Sequence, residues 1–147
     1  LQAGAEHVIA LDVAYGELEW RLRNDDRVTV VERTNARHLV PGQLDYAPDL
    51  IVCDVSFISI AKVLPAVLSL AAARHDVLAM VKPQFEVGPA YVGRGGIVSD
   101  QAAVERAAAE FADWLAGLGW PIDAWTPSPI AGGDGNLERL FHARSSR

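Results

Sequence analysis

The chain has 147 residues, half of them hydrophobic and 22% charged, with a net charge of −6. This length allows one domain with a real core and is too short for two ordinary ones, and the composition excludes a disordered chain. The acidic balance disfavours a free-standing nucleic-acid binder, although it allows an enzyme that a separate basic module delivers to RNA. No apolar run approaches the roughly 18 residues of a membrane-spanning helix. The single cysteine, Cys53, cannot form an internal disulfide, so a cytoplasmic protein is the simplest expectation.

Short apolar runs alternate with helical stretches along the chain. The predicted strands are 7–11, 28–32, 50–53, 77–81, 121–125 and 137–143, and the predicted helices are 17–23, 62–74 and 101–118. Helix 101–118 is the clearest because its apolar residues keep to one face, with Ser99 or Asp100 as its cap and Gly119 as its end. Pro65 is compatible with helix 62–74 only in the first turn.

The order of these elements predicts an α/β fold. Strands that are separated by helices favour parallel pairing with right-handed crossovers. The last two strands are joined by a loop without room for a crossover helix, so we expect an antiparallel return. The chain opens on Leu1, and Leu1 to Gly4 is typical of the end of a helix. We therefore expect a preceding segment.

Polar residues follow the carboxyl ends of the predicted parallel strands, where ligands bind in an open α/β sheet. The last strand runs the other way, so its beginning lies at the same edge. The segments at this edge are Asp12, 32–35, 54–57, 82–86, and Asn136 with Glu138. Carboxylates and a lysine from separate segments therefore converge on one rim.

Each of these residues also has an ordinary structural interpretation. Asp12 can be a turn or cap residue, Lys82 a solvated strand end, and Glu138 a surface ion-pair partner. Cys53 is interpreted as a small buried hydrophobe. The histidines are scattered without ligand spacing, so no metal site is predicted.

A lysine between two acids can serve as a base or as an orienter for a hydroxyl group. Because free lysine is protonated near neutrality, a base needs its pKa lowered by burial or by a neighbouring cation. Nearby carboxylates favour the ammonium form, and the other lysine, Lys62, lies beyond Asp54 at a predicted helix start. Both roles of Lys82 stay open.

Four stretches of the chain together resemble one family: ALDVAYGELEWRLRNDDRVTVVERTNARHL, DLIVCDVSFISI, VKPQFEVGPAYVGRGGIVSD and PSPIAGGDGNLE. They resemble the TlyA family, often named hemolysins, which are FtsJ-like, S-adenosylmethionine-dependent ribosomal RNA 2′-O-methyltransferases. The resemblance implies a Rossmann-like class I methyltransferase sheet with an antiparallel last strand, in a partial domain over residues 1–147. It also implies that the first, central strand, the glycine-rich motif and an N-terminal RNA-binding domain lie outside this chain.

The resemblance assigns catalytic roles. The FtsJ-like group has a Lys-Asp-Lys-Glu set, in which Asp54, Lys82 and Glu138 match the aspartate, the second lysine and the glutamate. The first lysine, the cation expected beside Lys82, would lie upstream of Leu1.

The resemblance also assigns residues to the cofactor S-adenosylmethionine. Asp12 would bind the ribose hydroxyls, the Thr34, Asn35 and Ala36 stretch would lie near the adenine, and Asp54 with Val55 would line the methionine end. The implied reaction is methyl transfer to a ribose 2′-hydroxyl of ribosomal RNA, on cytidines of the ribosomal subunits. Without the central strand, unpaired backbone groups would remain in the sheet, so we expect this chain alone to be inactive.

Other functions compete with this one. A membrane-active hemolysin needs a cationic amphipathic helix or a spanning segment, and helix 101–118 is not cationic. A catalytically inactive RNA- or cofactor-binding fragment is a second alternative. A nicotinamide oxidoreductase is disfavoured because no GxGxxG sequence follows a strand in this chain.

Overall fold

The computed structural model describes residues 1–130, 132 and 135–145. The strands are β1 (Val8–Leu11), β2 (Val28–Val31), β3 (Leu50–Cys53), β4 (Asp76–Val81), β5 (Ile122–Pro127) and β6 (Arg139–Arg144). The helices are α1 (Trp20–Arg23), α2 (Leu64–Ser69), α3 (Pro83–Glu86) and α4 (Gln101–Gly117). The chain forms two compact units, unit 1 (Leu1–Tyr46 with Val63–Leu70) and unit 2 (Ala47–Lys62 with Ala71–Arg147).

Unit 1 contains a pair of parallel strands. β1 pairs with β2 in the register Val8 to Val28 through Leu11 to Val31, which confirms the parallel pairing expected from the sequence. Helix α2 is shorter than predicted. Pro65 lies in its first turn, where backbone N–H groups have no partner within the helix, so the missing N–H of proline costs nothing.

Unit 2 contains a mixed sheet in the order β3-β4-β6-β5. β3 and β4 are parallel, whereas β4 with β6 and β5 with β6 are antiparallel, which confirms the predicted return of the last strand. Helix α4 supplies the buried Phe111 and Leu115, and the Phe111 ring lies 5.2 Å from that of the buried Phe141. The apolar faces of α4 and β6 therefore build the core of this unit.

The ends of α4 follow the predicted capping chemistry. The Asp100 carboxylate accepts the backbone N–H of Ala103 at 3.0 Å, so Asp100 rather than Ser99 is the N-cap. Gly119 follows the C-cap with a φ of +103°, a conformation that glycine adopts without steric cost.

Strand β4 ends where its apolar residues are followed by the charged Lys82. Val77, Ala79 and Val81 are buried on one face, and Lys82 follows as the residue before α3. Pro83 has no N–H for a sheet ladder, but its fixed φ suits the first turn of a helix. The chain therefore leaves the sheet at Lys82 and continues as α3.

Taken together, the elements give an α/β fold with parallel and antiparallel strands. Among the described residues, β1 pairs with β2 and β3 pairs with β4, and the expected further strand stays a prediction. Within the same part of the chain, no helix is long and apolar enough to cross a membrane.

Candidate active site

The side chain of Lys82 joins two segments of unit 2 at the carboxyl ends of β3 and β4. Its Nζ lies 2.7 Å from Oδ1 of Asp54 and donates to the Ser56 hydroxyl at 2.9 Å. The Lys82 side chain is 14% exposed, whereas that of Asp54 is 59% exposed. The structure therefore brings together the two predicted residues Lys82 and Asp54.

The Lys82 ammonium keeps capacity for a further partner. An ammonium has three N–H donors, and the contacts with Asp54 and Ser56 use two of them. A third donor can therefore reach a substrate oxygen from a fixed position. The Asp54 carboxylate accepts from the ammonium on one side and is open to solvent on the other.

Glu138 lies at the same edge of the sheet. Val81 and Arg139 form the last pair of the β4–β6 ladder, so Lys82 and Glu138 each lie one residue beyond it. Glu138 is buried, with 8% of its surface exposed. A Cβ at Gly132 would lie 2.7 Å from Glu138 Oε1, so the backbone there approaches the carboxylate closely. Among the described residues, Lys82 forms its ion pair with Asp54 and not with Glu138.

Asn136 fixes the loop next to Glu138. This buried side chain donates from Nδ2 to the Gly96 carbonyl at 2.9 Å, and its Oδ1 accepts the Val98 N–H at 3.0 Å. Both hydrogen-bonding groups of the amide are thereby used within the protein. A cleft of about 270 Å³ lies beside these residues, with Pro83, Gln101 and Glu138 in its lining.

Cys53 is the last residue of β3 and precedes Asp54. Burial, together with the negative charge of Asp54, raises the pKa of the Cys53 thiol to about 11. The thiol is therefore neutral near pH 7, which does not suit a nucleophile.

The predicted cofactor residues of unit 1 lie together at the carboxyl ends of β1 and β2. The Thr34 N–H donates to the Asp12 carbonyl at 3.0 Å, and Asp12 Oδ1 accepts the Ala14 N–H at 2.8 Å. Asn35 caps the 3₁₀ turn Ala36–His38 through its Oδ1. The turn role of Asp12 is thus observed, and its role toward a cofactor stays a prediction, as do those of Thr34, Asn35 and Ala36.

The remaining predicted residue, Val55, lies in unit 2 between Asp54 and Ser56, and its proposed contact stays a prediction. Sequence reasoning placed Ser56 at the rim but gave it no role. A hydroxyl two residues after the predicted aspartate was the available signal. Phe57, the next residue, is 92% exposed. Among the residues that the structure describes, no group of three His, Cys, Asp or Glu side chains could hold a metal ion.

The fold of this chain is that of Rossmann-like methyltransferases. It aligns over 96% of its length, and 67% of the other chain, with the N-methyltransferase NodS of Bradyrhizobium japonicum, solved with S-adenosyl-L-homocysteine, at a TM-score of 0.60 and 11% identity. The FtsJ-like methyltransferase family model matches residues 1–145, and the chain belongs to this family.

Two further relatives are closer in sequence. The 16S/23S rRNA (cytidine-2′-O)-methyltransferase TlyA of Mycobacterium tuberculosis is 47% identical over 145 residues, which are 99% of this chain and 54% of that protein. A hemolysin-named structure from Streptococcus thermophilus has a TM-score of 0.92 and 37% identity, over 98% of this chain and 52% of that one. The chain thus spans about half the length of these relatives.

Proposed function

We propose that the protein transfers a methyl group from S-adenosylmethionine to a ribose 2′-hydroxyl of ribosomal RNA. The observation that carries this proposal is the Lys82 ammonium, held by Asp54 and Ser56 at the carboxyl end of β4. The mycobacterial relative, named as a 16S/23S rRNA (cytidine-2′-O)-methyltransferase, supports cytidine as the nucleoside and the ribosomal subunits as the partners.

The residues of unit 1 fit the nucleoside part of the cofactor. Asp12 offers an exposed carboxylate at the end of β1, and a carboxylate in such a position accepts hydrogen bonds from ribose hydroxyls. Thr34, Asn35 and Ala36 follow β2 at the same edge, where we propose that they lie near the adenine.

The residues of unit 2 fit the chemistry of a hydroxyl nucleophile. The bound cofactor supplies a methyl group that is already activated on a sulfonium, so the protein contributes mainly orientation and electrostatics. Lys82 donates a hydrogen bond to the 2′-oxygen and fixes its position, while Asp54 and Val55 border the methionine end. Asp54 and Glu138 supply the carboxylates that help to remove the hydroxyl proton.

The substrate follows from the same chemistry. DNA has no 2′-hydroxyl, so a site built around that group selects RNA. Because this chain carries a net charge of −6, we propose that a separate basic RNA-binding part of the protein delivers the substrate. We also propose that the reaction takes place in the cytoplasm. The exposed acids of α4, Glu105, Glu110 and Asp113, disfavour a membrane-active alternative.

The test uses the full-length protein. Ribosomal subunits are incubated with it and with methyl-labelled S-adenosylmethionine, and the RNA is digested to nucleosides. We expect the label in 2′-O-methylcytidine. Label on a base, or no transfer to either subunit, would contradict the proposal.

A further inference from the structure

Glu86 binds the segment that carries the Lys82 partners. It is the last residue of α3, four residues after Lys82. Its Oε2 accepts the Ser59 hydroxyl at 2.7 Å, and its Oε1 accepts the backbone N–H of Ile60 at 2.9 Å. Both carboxylate oxygens therefore hold one short segment, which follows Asp54 and Ser56 in the chain.

The backbone between these residues has an unusual conformation. Phe57 has a φ of +63°, which is unfavourable for a residue with a Cβ and persists only where the surroundings fix it. Phe57 is 92% exposed, so burial contributes little to holding it. Its ring lies 5.5 Å from the ring of Phe85, the residue before Glu86. Two residues of α3, Phe85 and Glu86, therefore contact this turn and the segment after it.

We infer that Glu86 is a positioning residue for the transfer reaction. By anchoring Ser59 and Ile60 it fixes the turn through Phe57, and this turn presents Asp54 and Ser56 to Lys82. The carboxylate oxygens of Glu86 contact Ser59 and Ile60, so the side chain acts through the loop. This inference rests on the proposed function.

The chemistry of the two donors predicts which substitutions are tolerated. A glutamine can accept the Ile60 N–H through its carbonyl oxygen. Its NH₂ group can donate to Ser59, because a hydroxyl accepts as well as donates. Glu86→Gln can therefore keep both contacts, whereas Glu86→Ala loses both and Ser59→Ala loses one.

The experiment compares these variants in the full-length protein. We expect Glu86→Ala to lower kcat about 100-fold, because a small misplacement of reacting groups has effects on that order. We expect the KM for S-adenosylmethionine to change by much less than kcat, at most about 10-fold, because the loop presents Asp54 and Ser56 mainly to Lys82. Ser59→Ala should lower kcat about 10-fold, the effect of one hydrogen bond. The kcat of Glu86→Gln should stay within about 5-fold of wild type, because this variant can keep both hydrogen bonds. Glu110→Ala, an exposed glutamate of α4, is the matched control.

A second readout does not depend on activity. Hydrogen exchange at the Ile60 amide should be slow in wild type and Glu86→Gln and fast in Glu86→Ala. Equal kcat for Glu86→Ala and Glu110→Ala would overturn the inference, and so would equal losses for Glu86→Ala and Glu86→Gln. If Glu86→Ala does not fold, Ser59→Ala decides, and an unchanged kcat there overturns the inference.

Failure of the proposed function has a separate signature. In that case the wild-type protein transfers no methyl group to RNA, whatever Glu86 does. The loop contact is then judged by the Ile60 amide and by the Lys82 side-chain nitrogen signal. An unchanged Lys82 signal in Glu86→Ala would overturn the positioning role.

Discussion

The two ends of β4 both carry charged side chains, but they differ in what those side chains contact. At the amino end, Asp76 accepts from His142 at 2.7 Å and from Arg144 at 2.8 Å, both on the neighbouring strand β6. At the carboxyl end, Lys82 contacts Asp54 and Ser56, which lie in the loop after β3.

This difference separates a structural ion pair from a candidate reaction site. Hydrogen bonds from Arg144 and then from His142 hold the pKa of Asp76 below its usual range, yet such exposed pairs contribute little to stability. The Lys82 side chain is mostly buried, and its partners come from a separate segment. The presence of an ion pair therefore says little about function, whereas convergence of segments at strand carboxyl ends is informative.

The largest expected effect is that of Lys82→Ala. Removing the ammonium takes away the donor that positions the 2′-oxygen, and we expect kcat to fall about 1000-fold. Lys62→Ala, which changes the other lysine of the chain, should leave kcat within about 2-fold of wild type, because most surface substitutions have small effects. Steady-state methyl transfer to ribosomal subunits measures both, and similar losses in the two variants would refute the assignment.

A substitution at the amino end of β4 should change the stability of the protein rather than its catalysis. Trp120 Nε1 donates to Nε2 of His75 at 2.7 Å, in a buried contact directly before the strand. Trp120→Phe leaves this nitrogen without its donor, so we expect the free energy of unfolding to fall by about 1–3 kcal/mol. Urea unfolding measures the loss. A variant as stable as wild type would show that the contact is unimportant.

The sequence predicted the strands better than the loops between them. The prediction for β3 matches its observed bounds because the apolar run LIVC is typical of a strand. The helix predicted over 62–74 ends at Ser69, and the N–H of Ala72 bonds to the Pro48 carbonyl instead. Such tertiary contacts override local propensity, which is all that a sequence pattern reports.

For the site, the sequence and the resemblance predicted Asp54 and Lys82 but not how they meet. The meeting depends on Ser56 and on a positive φ at Phe57, which phenylalanine rarely adopts and no pattern signals. Helix α3 was also missed, because its four residues show no periodicity and Pro83 is typical of a strand end. The contacts of Glu86 therefore became visible only in the structure.

A smaller effect is expected for Ser56→Ala. The variant removes one acceptor of the Lys82 ammonium and leaves the Asp54 pair, so kcat should fall about 10-fold. Ser69→Ala, at a hydroxyl that bonds within α2, is the control and should have no effect on kcat. A Ser56→Ala variant with wild-type kcat would mean that Asp54 alone holds the lysine.

The smallest effect concerns the ion pair between Glu105 and Arg139, near the carboxyl end of β4, which has no proposed role in methyl transfer. Hydrogen bonds from Arg139, and secondarily from Gln101, lower the pKa of Glu105 from 4.5 to about 2. Because the folded-state pKa is below the unfolded one, the stabilisation is complete above about pH 4.5 and disappears as the pH falls toward 2.

Thermal unfolding of Glu105→Gln and wild type across this range checks the effect. The two melting temperatures should differ slightly at pH 7, less in high salt, and converge on acidification. A difference that grows as the pH falls would contradict the sign.

The most direct test measures single-turnover methyl transfer by Lys82→Ala and Asp76→Asn in the same full-length protein and the same assay. Each variant breaks an ion pair at one end of β4. We expect Lys82→Ala to be about 1000-fold slower than Asp76→Asn, which should stay within about 2-fold of wild type. Equal rates for the two variants would contradict the claim that the carboxyl end of β4 is the reaction site.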